Sequence, residues 1–187
     1  MRRLHAARYR HMTPKGLLGT PWAIGLIAAA LLLTPLASAG EEIIQGTVDG
    51  EARTWERFGS AGDGPAFFAD LPANARLYNL HGFEDGASHD PQGSMLLSVS
   101  KMGERVASVE LGYYEESRTG PDYLANQQVG QLDYEFETLS VENDTARITG
   151  RITGELHFVE DALREEYDES RTRSVDIVFD TTLPRQE

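Results

Sequence analysis

The stretch ARITGRITGELHF, residues 146–158, decides the fold class because apolar or glycine residues alternate in it with polar ones. One face would carry Ile148, Gly150, Ile152, Gly154, Leu156 and Phe158. The other would carry Arg147, Thr149, Arg151, Thr153, Glu155 and His157. A period of two is typical of a β-strand with one buried face and one face in water. Residues 173–182 repeat the pattern, with Val178 as an apolar exception on the polar face.

Seven further segments have strand character, at 42–49, 52–58, 66–71, 75–83, 95–100, 105–114 and 131–141. Turn signals at Asp49-Gly50, 101–104 and 142–144 connect neighbouring segments. Asp-Gly is the strongest of these signals, because both central residues of a type I′ turn need a positive φ. We therefore predict an all-β, antiparallel β-sandwich of about nine strands, with a closed or half-open β-barrel as the alternative.

The first 39 residues have the pattern of a secretory signal peptide. Five basic residues and no acidic one precede or flank the apolar run 22–33, and Ala37-Ser38-Ala39 follows as a cleavage site. An uncleaved membrane anchor is the alternative, but only about 12 residues are continuously apolar where a bilayer needs about 20. We expect cleavage after Ala39, a single domain at 40–187 and a periplasmic or secreted location in a bacterium, with no stable membrane span after cleavage.

Charge narrows the range of partners. The whole chain has a formal net charge of -13, and residues 40–187 carry 12 basic residues against 30 acidic ones. Nucleic acid and anionic lipid surfaces would repel such a domain, which argues against both as partners. A small ligand, a cation or an envelope protein fits better. The acidity is compatible with adaptation to salt, with cation binding or with an ordinary solvated surface.

No catalytic motif is found in the sequence. The chain lacks cysteine, a G-x-S-x-G elbow and an H-E-x-x-H pair. His81 and His157 lie within predicted strands. Asp133, Glu135 and Glu137 alternate along one strand, about 7 Å apart, which is compatible with a pair of glycosidase carboxylates and equally with the wet face of an acidic strand. We assign no catalytic and no cofactor-binding residue.

One loop has the composition of a metal site. Glu84, Asp85, His89 and Asp90 lie within seven residues, together with Gly86. Carboxylate oxygens and one imidazole could hold calcium or another divalent cation, although their order differs from that of an EF-hand loop. An ordinary polar loop has the same composition.

Four connections are longer than a hairpin needs, at 59–65, 84–93, 115–126 and 159–170. Function in β-sandwiches usually lies on such loops. The last connection could hold one helical turn, because Leu163 and Tyr167 are four residues apart behind Asp161. Tyr113, Tyr114 and Tyr123 flank the third connection and could form a contact surface for sugars or peptides.

Residues 43–55, IIQGTVDGEARTW, resemble the opening hairpin of small uncharacterised exported bacterial β-proteins. ARITG at 146–150 and GEL at 154–156 resemble their closing strands. The resemblance covers about a quarter of residues 40–187. It implies an envelope location and an antiparallel fold, and it implies no activity.

Three functions follow as hypotheses. The first is a non-enzymatic binding or interaction module that uses its long loops. The second is a hydrolase of an envelope glycan or ester that uses carboxylates such as Asp133 and Glu135. The third is a structural or assembly component of the cell envelope that adds a strand at an exposed sheet edge.

Overall fold

The computed structural model describes residues 41–58 and 64–186. The predicted signal peptide 1–39, with Ala37 and Ala39, lies outside the described residues, as does most of the 59–65 connection. The described chain forms ten strands: β1 Glu42–Val48, β2 Glu51–Arg57, β3 Phe67–Leu71, β4 Ala75–Phe83, β5 Met95–Met102, β6 Arg105–Tyr113, β7 Tyr123–Ala125, β8 Gln131–Glu142, β9 Thr145–Asp161 and β10 Glu166–Pro184.

The prediction of an all-β antiparallel fold is confirmed. The ten strands form one sheet in the order β10-β1-β2-β4-β5-β6-β7-β9-β8, and β3 pairs with β4 off this path. β10 also pairs with β9, so the sheet closes on itself around a single core. The closure is uneven, because β2 meets β4 through only two residue pairs and β7 meets β9 through two.

The alternating pattern of 146–158 forms the middle of the fold. β9 and β10 are the longest strands, and they pair along almost their whole length. Thr145 pairs with Pro184 at one end, and Asp161 pairs with Glu166 at the other. On its other edge, β9 carries β8 along 145–155 and β7 at 157–158. Ile148, Ile152 and Leu156 are fully buried. Val178 on β10 is 40% exposed, as the exception in its pattern predicted.

Two glycines of this pattern are required by close approach of strands rather than by burial alone. A Cβ atom at Gly154 would lie 2.0 Å from the carbonyl oxygen of Gln131 on β8. At Gly150 it would lie 2.4 Å from the carbonyl oxygen of Glu135 and 2.9 Å from the ring of Phe179. The absence of a side chain at both positions therefore lets β8 lie close beside β9 where the two strands pair.

The turns agree with the sequence. Asp49 and Gly50 have φ values of 51° and 80°, as a type I′ turn between β1 and β2 requires. The one-turn helix considered for 159–170 was wrong. β9 continues to Asp161 and β10 begins at Glu166, so a short turn joins them and Leu163 is 98% exposed. Asp161 accepts hydrogen bonds from the N–H groups of Leu163 and Arg164, but no helix follows.

The core is formed by side chains from β1 to β7, β9 and β10. Trp55 is fully buried, and its indole N–H donates to the carbonyl oxygen of Gly93 at 2.7 Å. Arg57 is buried too, with 2% exposure. Its guanidinium donates to Thr181 Oγ1 at 2.9 Å, to the carbonyl oxygen of Thr182 at 2.6 Å and to the Glu41 carboxylate at 3.1 Å. These bonds tie the end of β2 to the end of β10.

The described residues contain no helix of the length and apolar character needed to cross a bilayer.

Candidate functional site

Three of the four predicted long connections meet at one end of the sheet. The 84–94 and 114–122 loops are joined by backbone hydrogen bonds from Gly93 N–H to the Tyr114 carbonyl at 2.5 Å and from Tyr114 N–H to the Ser94 carbonyl at 3.0 Å. Arg118 and Asp90 form an ion pair between the same loops at 2.8 Å. The end of β9 joins them through Val159, whose N–H donates to the Asp122 carbonyl at 2.8 Å. Connections far apart in sequence therefore form one surface.

This surface has two depressions. The first cleft, of about 530 Å³, lies between the 114–122 loop and the start of β10 and includes Glu116, Phe158 and Arg171. The second cleft, of about 380 Å³, lies beside the 84–94 loop and includes Arg53 and Glu84. Glu115 lines both clefts, so they share a wall.

An irregularity of β10 forms one side of the first cleft. The pairing of β9 with β10 jumps from Phe158–Asp168 to His157–Thr172, which leaves residues 169–171 without partners on β9. Within this bulge the Asp168 carboxylate accepts hydrogen bonds from the N–H and the hydroxyl of Ser170, at 2.9 and 2.6 Å. Together these two hydrogen bonds hold the pKa of Asp168 below its usual value, and the bond from the Ser170 hydroxyl has the larger effect. Bulges commonly redirect side chains next to functional sites.

The bulge places Arg171 over an aromatic ring. Its guanidinium carbon lies 3.4 Å from the centre of the Phe158 ring, within the range of a cation–π contact. Among the described residues no carboxylate forms an ion pair with Arg171. Its charge therefore faces the first cleft without a carboxylate partner from this part of the chain.

The neighbouring charges of the first cleft are already engaged. Arg173 donates to both oxygens of Glu115, at 2.8 and 3.1 Å, and lies 4.7 Å above the Tyr123 ring. Asp122 Oδ2 accepts the N–H groups of Glu116 and Ser117, both at 2.8 Å, which fixes the loop. The exposed carboxylate of Glu116 has no ion-pair partner in the described chain. The cleft thus offers one guanidinium and one carboxylate for a ligand.

The second cleft has an ion pair in its lining. Arg53 on β2 bonds to Glu84 and, at 3.4 Å, to Glu51. Its guanidinium lies 5.9 Å from the centre of the Tyr113 ring. Burial raises the pKa of Tyr113 above its usual value. Tyr113 and Tyr123 are each only 2% exposed, so the contact surface of tyrosines considered from the sequence is not formed by these two residues.

The four predicted metal ligands have separate partners. Glu84 pairs with Arg53, Asp85 accepts the N–H of Ala87 at 2.9 Å, and Asp90 pairs with Arg118. His89 packs instead against Phe58, with ring centres 4.6 Å apart and the rings tilted by 32°. Glu84, Asp85 and Asp90 line the second cleft. No three acidic or histidine side chains converge as metal ligands within 41–58 and 64–186. Calcium or another divalent cation at this loop stays a prediction.

Asp133 and Glu135 are exposed on β8 and border a shallow depression with Arg151 and Thr153. Arg151 on β9 donates to both carboxylate oxygens of Asp176 on β10, at 2.8 and 2.6 Å, so its charge is already paired. Glu137 does not continue the alternation of Asp133 and Glu135, because the pairing of β8 with β9 shifts between Phe136 and Thr138 and leaves Glu137 without a partner on β9. The predicted row of three carboxylates on one face is thus interrupted by a bulge at its third member.

A histidine with aromatic neighbours lies at the base of the 84–94 loop. The His81 ring stacks on Phe83 and Tyr114, with centres 4.5 and 5.3 Å away, and its Nε2 lies 2.9 Å from the hydroxyl of buried Ser94. Burial, with a smaller effect of His89, lowers the pKa of His81 to about 4. His81 is therefore neutral at pH 7. The prediction that it is a strand residue is confirmed.

Sequence reasoning missed the arginines of this site. Arg53, Arg171 and Arg173 come from β2 and β10, while the loops they meet lie between β4 and β7. The length of the loops was a usable signal for the location, but no spacing in the sequence connects these arginines with Glu84 or Glu115. Comparisons with protein-family models, curated proteins and solved structures gave no match, so the assignment of the site depends on its own geometry.

Proposed function

We propose that this protein is an exported, non-enzymatic binding module, and that the first cleft binds a small zwitterion such as an amino acid or a short peptide. The observation that carries the proposal is that two charged side chains of this cleft, Arg171 and Glu116, have no ion-pair partner in the described chain. Arg171 is held over Phe158 by the β10 bulge, while Glu116 lies on the facing loop. Glu115, Asp122 and Arg173 are engaged with one another or with backbone groups, so they form walls.

The volume and polarity of the cleft agree with such a ligand. A cleft of about 530 Å³ lies within the usual range of small-molecule sites. A guanidinium can bind a carboxylate through two parallel hydrogen bonds, which gives orientation as well as affinity. A carboxylate across the cleft would pair with the ammonium group of the same ligand. A ligand with only one of the two charges would leave one protein charge without a partner.

Calorimetric titration tests the proposal with three forms of one ligand: a dipeptide, its amidated form and its N-acetylated form. The unmodified dipeptide should bind most tightly, and each modification should weaken binding by about tenfold, or about 1.4 kcal/mol. The Arg171→Gln variant should lose the preference for a free carboxylate and keep the preference for a free amine. Glu116→Gln should show the opposite selectivity.

Matched variants far from the cleft provide the control. Glu104 lies in the turn between β5 and β6, and exposed Arg105 begins β6, at the end of that strand away from the 114–122 loop. Arg105→Gln and Glu104→Gln should leave all three affinities unchanged. Equal affinities for the three ligand forms, or unchanged selectivity in both cleft variants, would refute the assignment of the first cleft.

The export part of the proposal has its own test. The leader pattern of residues 1–39 supports it, and the mass of the protein recovered outside the cytoplasm would decide it. We expect a chain that starts at Gly40. A product that still begins at Met1 would contradict cleavage and would leave the assignment of the cleft unaffected.

A further inference from the structure

β8 has one edge without a neighbouring strand in the described chain. Within residues 41–58 and 64–186, β8 pairs with β9 alone, and no backbone hydrogen bond joins it to another strand. An antiparallel strand directs alternate N–H and C=O groups away from its partner, so a strand with one neighbour leaves about half of these groups open. One carbonyl at this strand, that of Leu139, is reached by the Nζ of Lys101 at 3.5 Å.

The bulge divides this edge into two segments. The shift in pairing between Phe136 and Thr138 separates residues 131–136 from 138–142. Bulges interrupt the regular spacing of backbone groups, so an added strand could pair continuously only with one segment. The 131–136 segment, QLDYEF, is the part farther from Lys101, whose bond to Leu139 lies beyond the bulge.

The side chains of the 131–136 segment are acidic and partly aromatic. Asp133 and Glu135 are exposed, and Tyr134 is 47% exposed, with its ring 5.5 Å from that of Phe136. Between Arg118 and Arg147 the sequence has no lysine or arginine. Natural edge strands are commonly protected by lysines. This edge instead presents negative charge to whatever lies beside it.

The negative charge of the 131–136 segment decides which of two partners could pair with it: a second copy of this chain or a basic segment of another protein. If two copies of this chain paired through β8, their Asp133 and Glu135 side chains would lie near one another, and like charges across a strand pair are destabilising. An extended segment with arginine or lysine at alternate positions would place opposite charges across the pair. From the open edge and its charge we propose that residues 131–136 of β8 form a docking site for an extended basic segment of another protein, which adds as a further strand.

The experiment uses a fluorescently labelled peptide of about eight residues with alternating threonine and arginine. Its binding to the purified protein is measured by anisotropy, and the amide hydrogen exchange of the protein is measured with and without peptide. We expect the exchange of amides within 131–136 to slow by at least about tenfold. A peptide with the same sequence but methylated alternate backbone nitrogens should not bind, because it cannot donate to the edge.

Charge variants test the location. Asp133→Lys combined with Glu135→Lys should weaken binding by at least about tenfold. The matched control combines Glu42→Lys with Glu160→Lys, which changes the net charge equally at exposed residues of β1 and β9. This control should retain tighter binding than the β8 variant.

Four results would overturn the proposal. The methylated peptide could bind as well as the parent, which would indicate attraction by charge alone. The two double variants could weaken binding equally. The protection could fall outside β8, or no binding could be detected at low salt. Because exchange is measured on the unaltered protein, the test stands even if the β8 variant fails to fold.

Discussion

His81 lies half-buried between Phe83 and Tyr114 in its neutral form, and this makes stability depend on pH. Its pKa in the folded protein is about 4, against an ordinary value of 6.5. The unfolded chain therefore binds more protons than the folded one between these values, so the stabilisation is complete above pH 6.5 and is lost as pH falls toward 4. We expect a loss of about 2 kcal/mol, reduced from the full shift because the ring is partly exposed.

Denaturant unfolding of the His81→Gln variant at several pH values measures this contribution. The amide can still bond to Ser94, but it does not titrate. Arg185 and Arg151 hold the pKa values of Asp70 and Asp176 low, and the loss of stability from these carboxylates at lower pH is common to both proteins. The difference between the two proteins should therefore narrow from pH 7 to pH 4. A constant difference would contradict the assignment to His81.

Arg57 is the second residue whose surroundings predict a measurable loss of stability on substitution. Its buried guanidinium holds Thr181, the Thr182 carbonyl and Glu41. Arg57→Met keeps most of the apolar stem but removes these charge-assisted bonds, so we expect a loss of about 2 kcal/mol in the free energy of unfolding. Arg147→Met removes an exposed pair with Asp180 and should cost less than about 0.5 kcal/mol. Equal losses would show that burial of Arg57 is irrelevant.

At the level of elements, the close pairing of β8 with β9 depends on glycine. Gly154→Ala would place a methyl group 2.0 Å from the Gln131 carbonyl oxygen, so one strand must shift. We expect a loss of about 2–3 kcal/mol in thermal or denaturant unfolding, with faster amide exchange at the start of β8. Gly120→Ala is the matched control, because no heavy atom lies within 4 Å of its added methyl group. A cost at Gly120 equal to that at Gly154 would contradict the packing argument.

At the level of the whole molecule, the excess of acidic residues predicts a response to salt. The ion pairs are mostly exposed, and such pairs each contribute between about 0 and 1 kcal/mol, so screening them costs little. Repulsion within a chain of net charge -13 is screened by the same salt. We expect the melting temperature to rise by roughly 4 °C between about 0.01 M and about 0.5 M sodium chloride. A decrease measured by calorimetry would mean that the ion pairs outweigh the repulsion.

Much of the fold could be predicted from local pattern. Nine of the ten strands follow predicted segments, because side-chain alternation is a property of neighbouring residues. β7, at Tyr123–Ala125, was missed inside a predicted connection, because three residues are too few to show a period. The helical turn predicted near Leu163 failed because pairing of β9 with β10 continued past the predicted strand ends.

The sequence by itself determined the antiparallel all-β class, the turns at Asp49-Gly50 and 142–144, and the acidic character of the surface, since these depend on composition and on near neighbours. Only the tertiary structure decided which loops meet, that Arg171 lies over Phe158 and that β8 is left with one open edge. Those features arise from pairings between residues far apart in the chain, such as Arg173 with Glu115, and a local pattern carries no information about which distant strands will become neighbours.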